Sequence, residues 1–548
     1  MLKSSATGGT YTASTPDRAA FPLRWLIIIV VVSLALRCVL LASTMSNPGF
    51  EWVDADRYMR QGHEMAIKAG PWHERMLGAV SYRYLGWTFF LPPLYPLALS
   101  LFAALPHYPL TAAIAHAVVG AVSVLFVFVI GRRLYSTRAG LIAAALYSLW
   151  PSALTSTHVF VQEQLYIPLE LAAIALLVSG LDEEKRWTPL ATGVLFGLAA
   201  LTRSMILYYI VLLPLLLFLT SRDRLVVRRQ VLLLLAGAAL VVVPYSALIS
   251  WKSGQVMIIE NHGGFDMMKY SDRPIAGRPT LGVGLQVLAE QIVTRPFVFL
   301  GRWLDYVRLL FKPNGVRLLD GFGVFGTRSL ALLGVAVRIV CDFWYLAILG
   351  LTPLGIAVAR RFSHVATVGT WVLVVVAFTA LSGAAGARYR APTEPILIVF
   401  ACGALVLGWR RPRSLVLLTG AAGALVAVLL AAQMQPLGKM PAYGLAKWSP
   451  QQGIGESTAD GDAGFDLPLD ASGVTIASLA NTAEPLRVRL AVDGHVLFDS
   501  DIPSDGRPIR FFWTKERTGY VRIQTMRSGT GAAFPFRVTV LRRAATAP

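Results

Sequence analysis

The feature that most constrains this chain is the recurrence of apolar runs long enough to cross a bilayer. They fall near 22–44, 89–105, 110–131, 139–157, 164–181, 188–203, 205–220, 229–250, 339–359, 364–382, 392–409 and 414–433. A hydrocarbon core of ~30 Å takes about 20 apolar residues in a helix, so the pattern predicts an α-helical polytopic membrane protein. A composition of 55% hydrophobic and 15% charged residues agrees, and excludes a water-soluble globular chain of 548 residues. Residues 1–20 read as a disordered cytoplasmic tail. The run from Phe21 is longer than the core of a cleaved signal peptide and reads as a retained first span.

The net charge of +19 is concentrated in short connectors: Arg132, Arg133 and Arg138; Lys185 and Arg186; Arg222, Arg224, Arg228 and Arg229; Arg360 and Arg361; Arg410, Arg411 and Arg413. By the positive-inside rule these belong in the cytoplasm, and they give no reason to invoke a nucleic-acid partner. If all twelve runs spanned from a cytoplasmic N-terminus, the Arg132 connector and every later one would lie outside. One run therefore does not span. The weakest is 89–105, short and interrupted by Pro92, Pro93 and Pro96. Without it about eleven spans remain, N-terminus inside and C-terminus outside, within a transmembrane domain at 21–433. Residues 46–110 and 251–335 become outer loops. After a linker at 434–454, residues 455–548 carry alternating runs at 486–492, 509–513, 520–525 and 536–541 separated by Gly-rich turns. That pattern predicts a small extracytoplasmic β-sandwich-like domain.

The cytoplasmic connectors are too short to hold a domain, so any chemistry faces outward. Asp54 and Asp56 stand just past the first span, with Tyr58 after them, and Glu163 sits in the outer turn at 158–164 beside His158. Carboxylates there serve as general bases or metal ligands; they also occur as solvated loop charges or as a helix N-terminal Glu complementing the dipole. Arg37, Arg203, Arg388 and Arg390 recur near the outer boundary, with Lys269 and His262 on the second outer loop. Guanidinium groups at one depth suit a phosphate, though snorkelling to lipid headgroups places arginines there too. Cys38, Cys341 and Cys402 lie in apolar runs without CxxC or Cys/His spacing, which argues against disulfides, zinc and a thiol nucleophile.

The segments Asp54–Tyr58, Pro92–Pro96, Gly131–Tyr135, Ser152–Leu165, Gly197–Arg203, Asn261–Gly264 and Arg388–Pro395 occur in that order between roughly 22 and 410. Together they resemble the membrane glycosyltransferases of the polyprenyl-phosphate-sugar-dependent superfamily, specifically the family 39 group of bacteria. That group is related to protein O-mannosyltransferases and to the lipid A aminoarabinose transferase. The resemblance implies that an acidic residue of the first outer loop acts on the acceptor and that the Pro-rich segment is a juxtamembrane helix. Asp54 matches the acid that opens the family's motif. Ala55 and Asp56 depart from the commoner Asp-Glu pair, so Asp54 and Asp56 both stay candidates. Glu163 matches the second acidic position.

The expectation is therefore a multi-pass enzyme of the bacterial inner membrane, its active site facing the periplasm. It would move a sugar from a polyprenyl-phosphate carrier to a lipid, glycan or protein acceptor, with Asp54 or Asp56 as base and with inversion. Arg37, Arg203, Lys269, Arg388 and Arg390 would bind the donor phosphate; Tyr58, His158 and His262 would line the acceptor side or loops. No metal ligands are assigned, although a divalent metal is compatible with this chemistry. A surface-polysaccharide polymerase or ligase would use a related carrier. A lipid or sugar transporter would be expected to show internal repeats, and the sequence has none evident.

Overall fold

The computed structural model describes residues 23–45, 53–68, 70–84, 87–108, 110–155, 157, 160–180, 187–220, 224–260, 267, 281–311, 313, 331–359, 362–382, 387–408 and 413–431, and eight strands between 457 and 542. The chain divides into two compact units, one of 1–325 with 332–439, the other of 440–548 with 326–331.

The first unit is helical. Its elements are α1 (Leu23–Met45), α2 (Val53–Ile67), α3 (Trp72–Val80), an antiparallel hairpin of β1 (Ser81–Tyr84) and β2 (Trp87–Phe90), α4 (Leu94–Ala103), α5 (Leu110–Leu134), α6 (Thr137–Ser148), α7 (Pro151–Thr155), α8 (Glu163–Gly180), α9 (Thr188–Thr202), α10 (Ile206–Thr220) and α11 (Arg224–Ser253). After these come α12 (Leu281–Thr294), α13 (Pro296–Phe311), α14 (Ala331–Val358), α15 (Phe362–Leu381), α16 (Ala387–Arg390), α17 (Glu394–Leu407) and α18 (Arg413–Ala431). Among the described residues six helices are long and apolar enough to cross a membrane, or seven if the bent pair α12–α13 counts as one span; five shorter apolar helices accompany them. The protein is a multi-pass membrane protein.

The Pro-rich run resolves into α4, of ten residues. At ~1.5 Å per residue it is about 15 Å long, half a bilayer core. The 139–157 run is likewise not one helix: α6 stops at Ser148 and Pro151 opens α7, as the restriction on the residue before proline requires. One expectation changes character. The stretch 251–335 reads from sequence as an outer loop, yet 281–311 forms two apolar helices bent by 118°. Arg295 and Pro296 interrupt the pattern between them, so no unbroken run of ~20 apolar residues stands out.

Packing is close where small residues allow it. Ser136 caps α6 by accepting from the Ala139 N–H at 3.2 Å, which fixes the tight turn after the basic end of α5. Helices α9 and α11 touch through Gly193 and Gly237: a Cβ on Gly193 would lie 2.0 Å from the Leu234 carbonyl oxygen, and one on Gly237 2.2 Å from that of Leu190. Only glycine permits that approach.

The second unit is β-rich. Strands β3 (Ser457–Asp460), β10 (Pro535–Arg542), β5 (Ala471–Ser478) and β8 (Ile509–Phe512) form one four-stranded sheet in that order. The strands β4 (Asp462–Leu467), β9 (Gly519–Arg527), β6 (Leu486–Val492) and β7 (His495–Ile502) form a second, and the strands of both sheets pair antiparallel. Strands β6, β8, β9 and β10 fall on the four alternating runs of the sequence.

Candidate active site

The site is assembled where α8 begins and α9 ends. Glu163 is the first residue of α8, and Arg203 leaves α9 as its C-cap in an extended conformation (φ −152°, ψ 116°). Since α8 and α9 pack against each other, the two side chains meet. Glu163 Oε1 accepts from Arg203 Nη1 at 2.9 Å and from Arg388 Nε, on α16, at 2.9 Å. The side chains are 3%, 8% and 15% exposed respectively, while Glu163 Oε2 is buried with no hydrogen-bond partner among the described residues. One carboxylate between two guanidinium groups leaves a net charge of +1 on the trio. The positive end of the α8 dipole further favours the ionised carboxylate. The Arg203 guanidinium also lies 5.9 Å from the Tyr166 ring centroid and 5.2 Å from that of Tyr389, within cation–π range.

Helix α2 carries the first-loop acids to this end of the bundle. Tyr58 is buried and its hydroxyl donates to Gln162 Oε1 at 3.0 Å, one residue from Glu163. The Tyr58 ring meets Tyr95 of α4 edge-on at 5.1 Å, and Tyr95 stacks on His116. A Cβ on Gly62 would come within 2.7 Å of Leu99 Cβ, so α2 and α4 cross closely. The Tyr108 hydroxyl donates to the Met59 carbonyl at 3.2 Å; burial pushes its phenol up to about 12, so it remains a donor at neutral pH. Asp54 and Asp56 occupy the first turn of α2, one turn and half a turn before Tyr58; their side chains lie outside the described residues. His158, His262 and Lys269 lie outside them as well.

A second buried cluster stands beside the first. Glu394 accepts from Trp150 Nε1 at 2.7 Å, from Arg390 Nε at 2.9 Å and from the Ser152 hydroxyl. Arg390 also donates to the Leu310 carbonyl at 3.2 Å and lies 4.0 Å from the Tyr345 ring centroid. Arg390 is thus engaged with a different acid from Arg388, two residues away. Arg37 turns elsewhere again, donating to the Ser33 carbonyl and hydroxyl and to the Ala153 carbonyl. The structure brings together Tyr58, Glu163, Arg203 and Arg388, and leaves Arg37 and Arg390 outside that group.

Several participants were not singled out from the sequence. Gln162 adjoins Glu163, and Glu394 closes the Arg388–Pro395 motif. Glu260, whose Oε1 accepts from the Ser204 hydroxyl, opens the segment before His262. Glu170 is a carboxylic acid in the middle of an apolar run, which is itself the signal. Among the described residues no three His, Cys, Asp or Glu side chains gather closely enough to hold an ion, and Glu163 Oε1 is committed to two arginines.

Residues 91–251 match the family model described as dolichyl-phosphate-mannose-protein mannosyltransferase. The matched segment is less than a third of the chain. It contains Gln162, Glu163 and Arg203, and stops short of α2 on one side and Arg388 on the other. Two solved structures are distantly similar. The oligosaccharyltransferase AglB of Archaeoglobus fulgidus, in complex with an inhibitory peptide and a dolichol-phosphate, is 17% identical with a TM-score of 0.43, covering 75% of this chain and 54% of that one. The arabinosyltransferase EmbB of Mycobacterium smegmatis is 12% identical with a TM-score of 0.32, covering 97% and 66%. The chain thus spans about half the length of the archaeal enzyme. A comparison with curated proteins finds no match.

Proposed function

We propose that this protein transfers one sugar from a polyprenyl-phosphate carrier to an acceptor hydroxyl or phosphate of a lipid, glycan or protein, at the extracytoplasmic face of a bacterial inner membrane. The observation that carries the reading is the Glu163–Arg203–Arg388 trio, cationic overall, beside the Tyr58–Gln162 contact that anchors the helix of Asp54 and Asp56. The leaving group of such a donor is already a phosphate, so the chain must supply a base for the acceptor and positive charge for the departing anion. Asp54 or Asp56 takes the acceptor proton as its oxygen attacks the anomeric carbon. The bond from that carbon to the phosphate oxygen breaks, and the electron pair leaves on a phosphate met by Arg203 and Arg388. Glu163, engaged with both arginines, orients them and is not a free base. One base and one displacement give inversion.

The test is turnover of a labelled polyprenyl-phosphate sugar by the purified protein in detergent. Loss of transfer in Asp54→Asn or Asp56→Asn, with donor binding retained, supports the assignment. Wild-type turnover in both variants removes the base from the first outer loop.

A further inference from the structure

Glu170 is fully buried in the middle of α8, as are its neighbours Tyr166 and Trp371. It stands seven residues beyond Glu163, about 10 Å along the helix at ~1.5 Å per residue and on the same side after two turns. Its Oε1 accepts from Trp371 Nε1 of α15 at 2.5 Å. Among the described residues its Oε2 has no hydrogen-bond partner, and neither does the Tyr166 hydroxyl, one turn earlier on the same face of α8. Two unsatisfied buried polar atoms on adjacent turns of one helix are costly apart and complete each other through a single hydrogen bond. The Tyr166 ring that this bond would fix is one of the two on which the Arg203 guanidinium rests.

We propose that Glu170 is a positioning residue for Arg203: tied to α15 through Trp371, it holds Tyr166, and Tyr166 holds the guanidinium against Glu163 and toward the carrier phosphate. The inference rests on the functional reading above and adds to it a control on phosphate affinity from within the membrane-spanning part of the bundle. An acid in an apolar span that served only to join α8 to α15 would affect stability without affecting Arg203.

The experiment uses the full chain in detergent, with undecaprenyl phosphate as the binding probe and thermal unfolding measured in parallel. Glu170→Ala is expected to weaken binding of the probe about tenfold, the scale of one lost hydrogen bond. Glu170→Gln should bind as wild type, because its amide oxygen accepts from Trp371 and its amide nitrogen donates to Tyr166. In a double-mutant cycle, Glu170→Ala should add nothing to Arg203→Ala. If Glu170→Ala does not fold, Tyr166→Phe, which removes only the hydroxyl, must weaken binding in the same non-additive way. Weakened binding in Arg203→Ala together with unchanged binding in Glu170→Ala and Tyr166→Phe, or additive effects in the cycle, overturns this inference alone. Unchanged binding in Arg203→Ala overturns the functional reading and this inference with it.

Discussion

Replacing Glu163 by glutamine tests the arrangement at its centre, because the volume is kept and only the charge is lost. Each of its two N···O contacts is 2.9 Å. By Coulomb's law such a pair is worth about 6 kcal/mol at an effective dielectric of ~20, and the desolvation of three buried groups offsets most of that. The variant loses more than the net value of the pairs, since both guanidinium groups stay largely buried after the carboxylate they share is neutralised. Removing one partner of a buried pair costs about 3–5 kcal/mol, and the 15% exposure of Arg388 lets water recover part of it, so a loss of about 3 kcal/mol is expected. Thermal unfolding in detergent, followed by tryptophan fluorescence, reads the stability. Turnover of a polyprenyl-phosphate sugar reads the function and should fall at least a hundredfold, the scale of ~3 kcal/mol in a transition state. High phosphate should partly restore the melting temperature of Glu163→Gln, because an anion from solution could take the place of the lost carboxylate between the two arginines. A variant that melts and turns over as wild type would refute the claim that the carboxylate orients the two arginines.

Other outcomes follow from the same contacts. Tyr58→Phe removes the bond to Gln162 Oε1 and should lower kcat/KM by up to about tenfold, the scale of one hydrogen bond, with little change in melting temperature. Glu394→Gln removes the carboxylate that Arg390 meets at 2.9 Å while keeping an acceptor for Trp150 and Ser152; it should destabilise by about 3 kcal/mol, measurable by the yield of monodisperse protein and its unfolding temperature. Gly193→Val puts a side chain where even a Cβ lies 2.0 Å from the Leu234 carbonyl oxygen. The backbones of α9 and α11 must separate, at a cost above the 1–3 kcal/mol of ordinary overpacking, whereas Gly369→Ala, with nothing near its added Cβ, should melt as wild type.

What could be read without coordinates follows the range of each interaction. Apolar length and proline content are local, so the helical class and the shortness of α4 are legible in residues 89–105. The helices at 281–311 escape notice because Arg295 and Pro296 divide them into pieces too short to qualify. Glu163, Arg203 and Arg388 stand out as charges at the ends of apolar runs, but sequence gives no hint that one oxygen serves both arginines. The pairing of Arg390 with Glu394 is a helical i,i+4 neighbour relation and could have been drawn. The convergence of Trp150 and Ser152 on the same acid crosses more than 240 residues, and no pattern in the chain announces it.

Those separations also bear on biosynthesis. Glu163 and Arg203 emerge early, yet Arg388 follows Glu163 by 225 residues, and Trp371 follows Glu170 by 201. A nascent chain inserted helix by helix must therefore carry acids and an indole whose partners have not yet been translated. Until α15 and α17 arrive, Glu170 lacks Trp371, and Trp150 and Ser152 lack Glu394. Chains released before residue 387 would lack both Arg388 and Glu394.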